Sequence, residues 1–365
     1  MIITNIEIFR FSIKMEPFAI ATGTMTVAPN VLIKINTETG IYGWGECSPF
    51  PVITGETQDT CIVVAKDFAK LLKGKNALDI DGNLAILNSA IAGNSTIKSA
   101  FDMALYDIAA KAENMPLYQF LGAEKKQIET DITIGIDTPE KMTDKAAQYI
   151  ANGATMLKVK LGKNPKQDVL RMQKIRSAVG ENIKIKIDAN QGYSFDEAVF
   201  VLNEMADLDL QFCEQPMRSW DDHLLPSLIS KSSIKIMADE SIYNHHDAIR
   251  LINTNATDYL NIKLAKSGGI NEALKINKVA EEVGMKCMIG GMLETRLALA
   301  AKVHLAYAAS TVMFFDLDTC LVGHLENPVI GGANYNGFFV DVLDTPGIGA
   351  DVDPLYLKRC ENWVV

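Results

Sequence analysis

The sequence predicts an α/β protein: a TIM-like barrel with a smaller mixed region at the start of the chain. Three observations carry this. From about residue 127 a strand-then-helix rhythm repeats every 25 residues or so, roughly the size of one βα unit. Eight strand-like segments follow one another in this way, which fits a closed barrel better than an open doubly wound sheet, and no glycine-rich nucleotide fingerprint follows the first of them. The chain is 365 residues long, more than one compact domain usually holds.

The elements follow in order. Residues 2–14 and 31–36 read as strands, and Glu38-Thr39-Gly40 is a turn into Tyr42-Gly43-Trp44. Pro49, Pro51 and Gly55 mark a loop. From 57 to 121 the pattern is helical, with Phe101, Leu105 and Ile108 on one face and Pro116 and Gly122 punctuating the end. The barrel strands are expected in IETDITIGI, TMLKVKL, IKIKIDA, LQFCEQ, IKIMADE, YLNIKLA, MKCMIGG and VMFFDLD, the first seven each followed by a helix. Ser194 to Glu197 forms a capping box, and Thr138-Pro139 is an N-cap with proline at the first helical position. After residue 322 the rhythm stops, and the tail is expected to pack back on the N-terminal region.

Bulk properties narrow the function. A net charge of −10 argues against a nucleic-acid partner. The N-terminus, MIITNIEIFRFSIKM, alternates like a strand rather than a signal peptide, and no run has the length of a membrane span. The six cysteines are scattered, Cys213 and Cys287 in apolar runs, and read as reduced core residues of a cytosolic protein.

The chemistry lies at the strand ends. In "MLKVKLG" Lys158 and Lys160 project from one face of a strand, an arrangement unfavourable for two ammonium groups unless something offsets it. An edge strand with one wet face would explain that pair alone. Yet successive strands finish on Lys160, Asp188, Glu214, Asp239, Lys263 and Asp316, and in a barrel such residues converge on one mouth. N-capping could account for a single carboxylate; it does not account for Asp188, Glu214 and Asp239 together. Three carboxylates without His or Cys suit a hard cation, Mg²⁺. Lys160 and Lys263 would then flank the metal from opposite sides, their pKa values lowered by Lys158, Lys266 and the metal. Two bases facing one carbon perform 1,1-proton transfer, with the substrate carboxylate on the metal stabilising an enediolate-like intermediate. By parity Lys184 and Lys186 also face inward, and Lys186 is expected to be ion-paired below the metal, one of the metal ligands being a candidate partner.

Together these residues resemble the enolase superfamily, in its muconate-lactonising-enzyme subgroup. The resemblance spans the chain: residues 99–122, KVK at 158–160, IDANQGYS at 187–194, CEQP at 213–216, ADES at 238–241 and NIKLAKSGGI at 261–270. It implies a (β/α)7β barrel over residues 126–321, capped by an α+β domain built from residues 1–125 and the returning tail 322–365. It implies one Mg²⁺ per subunit on Asp188, Glu214 and Asp239, Lys160 and Lys263 as the acid/base pair, and Lys158 on the substrate carboxylate. Asp316 and Asp318, in FDLDT, resemble the motif by which dipeptide epimerases receive a peptide's ammonium group. GGMLET at 290–295 is similar to the same group, which implies that Thr133, Gly291 and Leu293 line the substrate and that Glu294 supports Lys263. The specificity loops contain Gly23 and Ile53-Thr54. Relatives selective for Ala-Glu carry an arginine at the position of Gly23, and nothing basic lies between Lys14 and Lys34. A small or apolar second residue is therefore expected, as in Ala-Ala or Ala-Val.

His245-His246 reads as a solvated helix start, and Lys266-Ser267-Gly268-Gly269 as a βα-loop glycine pair rather than a phosphate cradle. The rival readings are an N-acylamino-acid racemase or o-succinylbenzoate synthase of the same subgroup, a Schiff-base lysine barrel, and a Mg²⁺-dependent dipeptide-binding protein. The expected partner is a small dipeptide, with no nucleic acid and no membrane. A homo-oligomer, a cytoplasmic location and a role in cell-wall peptide metabolism complete the expectation.

Overall fold

A computed structural model describes residues 1–365. The chain opens with an antiparallel meander, β1 (Ile3–Ile20), β2 (Gly23–Thr37) and β3 (Tyr42–Cys47). Helices α1 (Pro51–Thr54), α2 (Gln58–Leu72), α3 (Ile80–Ala90), α4 (Ser95–Ala112) and α5 (Leu117–Phe120) follow. β1 is buried on both faces. Ile6 and Ile8 pack with Phe68, Phe101 and Leu105 of the helices, while Phe9, Phe11 and Ile13 join the barrel core. Period-two alternation with both faces apolar is what a sheet held between two layers requires.

The hairpin departs from expectation. Residues 15–30, expected to be irregular, continue β1 and β2 to a two-residue tip at Ala21-Thr22. The tip reaches over the barrel, where the Ala19 carbonyl accepts the Ile136 N–H. The expected first barrel strand is split: β4 (Ile128–Glu129) pairs with the tail, and only β5 (Ile132–Ile134) enters the barrel.

The rest alternates as predicted: α6 (Pro139–Ala151), β6 (Met156–Lys160), α7 (Pro165–Val179), β7 (Lys184–Asp188), α8 (Phe195–Glu204), β8 (Leu210–Glu214), α9 (Leu225–Ser230), β9 (Ile236–Ala238), α10 (His245–Asn253), β10 (Tyr259–Ile262), α11 (Leu264–Ser267), α12 (Ile270–Glu282), β11 (Lys286–Ile289), α13 (Arg296–Ala308), β12 (Val312–Phe315) and α14 (Thr319–Val322). β5 to β12 form one parallel eight-stranded sheet in chain order, and the Asp131 N–H reaches the Phe315 carbonyl across its ends. The capping box at Ser194 and the Thr138 cap form as the sequence predicts. In the tail, β13 (Val329–Gly331) pairs with β16 (Ala350–Val352), β14 (Asn334–Asn336) with β15 (Phe339–Asp341), and after α15 (Pro354–Leu357) the last strand, β17 (Asn362–Val364), adds to β1. All six cysteines are free thiols, and no helix is long and apolar enough to cross a membrane.

Candidate active site

The polar strand ends do converge. Asp188 and Glu214 end β7 and β8, Asp239 follows β9, and none of the three caps a helix, because Ser194, Arg218 and Asn244 hold those cap positions. All three are fully buried. Lys160 lies on Asp188 Oδ2 at 2.5 Å, and Lys263 on Asp239 Oδ2 at 2.8 Å. Their strands, β6 and β10, are four apart in a sheet of eight, so the two lysines enter the mouth from opposite walls. Lys158 bridges Glu214 at 2.7 Å, Asp188 at 3.2 Å and Asp316 at 2.7 Å. Lys266 lies beneath Asp239, on Oδ1 at 2.5 Å, and also donates to the Ile242 carbonyl.

The charges do not balance. Seven buried carboxylates (Asp131, Asp188, Glu214, Asp239, Glu240, Asp316 and Asp318) face five buried ammonium groups (Lys158, Lys160, Lys186, Lys263 and Lys266), so two negative charges lack a cation. The deficit shows in the titration of two of these acids. Burial, then Asp188, pushes Glu214 up to about 7. Burial, then Asp239, pushes Glu240 up to about 8. Asn190 Oδ1 and Glu240 Oε2 lie beside the trio with no hydrogen-bond partner. The missing charge, the all-oxygen donor set and these orphaned acceptors fit a hard divalent cation. The turns after the first two carboxylates are left-handed at residues other than glycine, with φ of 42° at Asn190, 65° at Gln191 and 35° at Gln215; such backbone tends to cluster at functional sites.

Residues 141–356 match the enolase C-terminal domain-like model, and residues 3–122 match the mandelate racemase/muconate lactonizing enzyme N-terminal domain. The chain belongs to the mandelate racemase/muconate lactonizing enzyme family. It is 43% identical over 365 aligned residues to the D-Ala-D/L-Ala epimerase of Cytophaga hutchinsonii, covering 99% of each chain. The crystal structure of the dipeptide epimerase from that organism, complexed with Mg and D-Ala-L-Val, superposes with a TM-score of 0.98 over 100% of both chains. The substrate-liganded L-Ala-D/L-Glu epimerase of Bacillus subtilis has a TM-score of 0.93 at 36% identity, covering 96% of this chain and 99% of that one.

In this family member the remaining predicted residues fall as follows. Asp316 and Asp318 are buried just beyond β12, not solvated, and Asp318 Oδ2 accepts the Thr133 N–H at 2.6 Å. Gly291 packs against the Asp316 carbonyl, where a Cβ would sit 3.1 Å away. Leu293 is buried beside it. Gly23 is exposed next to the hairpin tip with open space where a side chain would go. Ile53 and Thr54 form α1, and the Ile53 carbonyl accepts the Tyr243 hydroxyl at 2.5 Å, which ties this loop to the one after β9.

Several expectations are corrected. Glu294 pairs with Lys302, not Lys263; Lys302 is wholly buried in the apolar helix α13 and takes the carboxylate within reach. Lys186 does point inward, but its partner is Asp131 at 2.7 Å rather than Asp188, Glu214 or Asp239, since Asp131 has no other cation so close. Lys184 shares that face yet is exposed, because it begins the strand at the barrel's far end. The Lys263 ammonium, seated on Asp239, is held above its ordinary value: burial, and Lys158, push it down, but Asp239 and Glu214 outweigh them. Burial lowers Lys266 itself. The phosphate reading of the Lys266–Gly269 turn fails because Asp102 of α4 already accepts the Ile270 and Asn271 N–H groups at the start of α12. His245 starts α10 as predicted but is half-buried and bonded to Glu272 rather than solvated, and only His246 is exposed.

Sequence reasoning missed Asp131, Glu240, Asn261 and Lys302. Asp131, Asp316 and Asp318 bring carboxylate oxygens within 4.8 Å of one another. Asn261 donates to Glu214 Oε1 at 2.7 Å, and Gly290 leaves room for Asn261 and Lys263, since a Cβ there would lie 2.4 Å from Asn261 Oδ1. Two signals were available: Asp131 alternates with Thr133 along the first strand, and Lys302 interrupts an apolar helix as Lys158 interrupts an apolar strand.

Proposed function

We propose that this protein is a Mg²⁺-dependent dipeptide epimerase that inverts the α-carbon of the C-terminal residue of small or apolar Ala-Xaa dipeptides such as Ala-Ala or Ala-Val. The observation that carries this reading is the pair Lys160 and Lys263 on opposite barrel walls with a carboxylate cluster between them. Lys160 takes the α-proton from one face and Lys263 delivers a proton to the other, or the reverse, so each turnover swaps their protonation states. Mg²⁺ held by Asp188, Glu214 and Asp239 would anchor the substrate carboxylate, acidify the α-carbon and draw those carboxylates off the lysines. Lys158 steadies the same carboxylate. Asp316 and Asp318 receive the peptide ammonium, with Thr133, Gly291 and Leu293 along the peptide.

Charge supports a dipeptide over an N-acylamino acid. A divalent cation supplies the two positive charges the cluster lacks and a zwitterionic dipeptide adds no net charge, whereas an N-acylamino acid adds an unpaired negative charge and leaves Asp318 without a cation. The absence of a basic residue between Lys14 and Lys34, the part of the hairpin that forms its tip, supports an uncharged second side chain. Mg and a dipeptide in the Cytophaga hutchinsonii structure support the same class.

The test is incubation in D₂O with Mg²⁺ and a library of dipeptides, carrying L- or D-Ala first, alongside N-succinyl amino acids. Mass spectrometry should find one deuterium in Ala-Ala and Ala-Val, none in the N-acyl compounds, and none anywhere after chelation. Exchange confined to N-acylamino acids, or surviving chelation, would overturn the reading; no exchange in any compound would favour a binding protein.

A further inference from the structure

Three polar residues of the N-terminal sheet are buried far from water and bonded to the loop that follows β11. Asn30 lies on β2, Glu46 on β3, and Ser48 just after β3. Glu46 Oε1 accepts Asn30 Nδ2 at 2.7 Å and the Thr295 N–H at 2.9 Å. Glu46 Oε2 accepts the Thr295 hydroxyl at 2.7 Å and the Ala298 N–H at 3.1 Å. A carboxyl group accepting four hydrogen bonds at the N-terminus of the 13-residue helix α13 has its acceptors satisfied there, and these bonds offset only part of the burial that pushes it up to about 7.

Helix capping explains only part of this. Two residues before the cap, the Leu293 carbonyl accepts Asn30 Nδ2 at 3.1 Å and the Leu293 N–H donates to Ser48 Oγ at 3.2 Å. No helix needs those bonds. The loop is held from its other side as well: Glu294 Oε2 accepts the Met292 N–H at 2.6 Å, and the Thr319 hydroxyl donates to the Met292 carbonyl at 3.0 Å. Both peptide groups of Leu293 are thus fixed by the sheet. The sheet itself cannot slide here, because Gly45 of β3 lies against the backbone of α4.

We propose that Asn30, Glu46 and Ser48 are positioning residues: from the N-terminal sheet they set the backbone of Met292–Thr295, and so the place of Leu293 against the bound peptide. The role given to Leu293 rests on the function proposed above. The contacts reach the loop that holds substrate and neither lysine nor the metal-binding candidates, so loosening them should weaken peptide binding while leaving the chemical step intact.

Ser48→Ala and Glu46→Gln test this by two readouts. Amide hydrogen exchange should speed up about tenfold at Leu293 and Thr295, with barrel-strand amides unchanged. KM for the best dipeptide should rise about fivefold, with kcat within about twofold and Mg²⁺ affinity by calorimetry unaltered. Unchanged exchange at Leu293 in both variants, or a fall in kcat with KM constant, would overturn the proposal. Should Glu46→Gln fail to fold, Ser48→Ala decides alone, since it removes one hydroxyl. Should the wild-type enzyme exchange no dipeptide α-hydrogen, it is the substrate reading that falls, and amide exchange still decides whether the sheet holds the loop.

Discussion

Lys160 and Lys263 make the sharpest prediction at the scale of single residues. Each sits on its own carboxylate and reaches the mouth from its own wall. If each serves one face of the α-carbon, removing one should stop inversion without stopping all proton exchange. Lys160→Ala is expected to slow epimerisation by at least about a hundredfold yet still exchange the α-hydrogen of one epimer, with Lys263→Ala doing the same for the opposite epimer. Proton NMR of each pure epimer in D₂O reads this directly. Loss of exchange on both epimers in either variant would point to a single base. Much of this site was legible at the residue scale because a charged group at the end of an apolar strand is costly unless a partner awaits it. Partner identities were not legible: Lys186 on Asp131 and Lys302 on Glu294 depend on which carboxylate folding brings nearest.

Among elements, the packing of β3 on α4 has the least tolerance. A Cβ on Gly45 would lie 1.8 Å from the Ala100 carbonyl oxygen, and one on Gly43 would lie 2.1 Å from that of Ala104. Both obstacles are backbone, so no side chain can turn aside. Gly45→Ala is expected to cost about 3 kcal/mol, at the upper end for overpacking, and urea unfolding of the soluble fraction measures it. A cost under about 1 kcal/mol would mean that strand and helix can separate cheaply. Element boundaries were legible where caps and periodicity agreed, as at Thr138 and Ser194. They were not legible in the hairpin, where Ala, Gly, Pro and Thr read as a loop and the strand is sustained by pairing between β1 and β2.

The whole molecule is joined at His304. Its Nδ1 accepts the Tyr118 N–H of α5 at 3.0 Å, its Nε2 lies 3.1 Å from the Ile348 carbonyl in the tail, and its ring stacks on Tyr118. One imidazole on α13 therefore links the barrel, the capping helices and the tail. Accepting through Nδ1 and donating through Nε2 requires the neutral ring. Burial lowers its pKa to about 4, below the ordinary 6.5. A proton that the unfolded chain takes up and the folded chain refuses favours unfolding, so this stability is complete above pH 6.5 and is lost as pH falls towards 4. The full loss is about 3 kcal/mol. His304→Gln should be less stable than wild type at pH 7, and the gap should close by about 2 kcal/mol at pH 5 and by about 3 kcal/mol at pH 4 in paired urea titrations. A gap independent of pH would show that the folded ring takes up its proton as readily as the unfolded one.

Local chemistry is written along the chain, so the sequence alone determined the barrel rhythm, the succession of polar strand ends, the helix caps and the family likeness. A strand's period and a charge at its end are properties of neighbouring residues. Only the tertiary structure decided that the hairpin reaches over the barrel, that Asp102 fills the turn before α12, that Asn30, Glu46 and Ser48 grip Leu293, and which carboxylate each buried lysine meets. Those contacts join residues up to 263 positions apart, and the energy of a buried charge or hydrogen bond depends on the partner folding supplies rather than on distance along the chain.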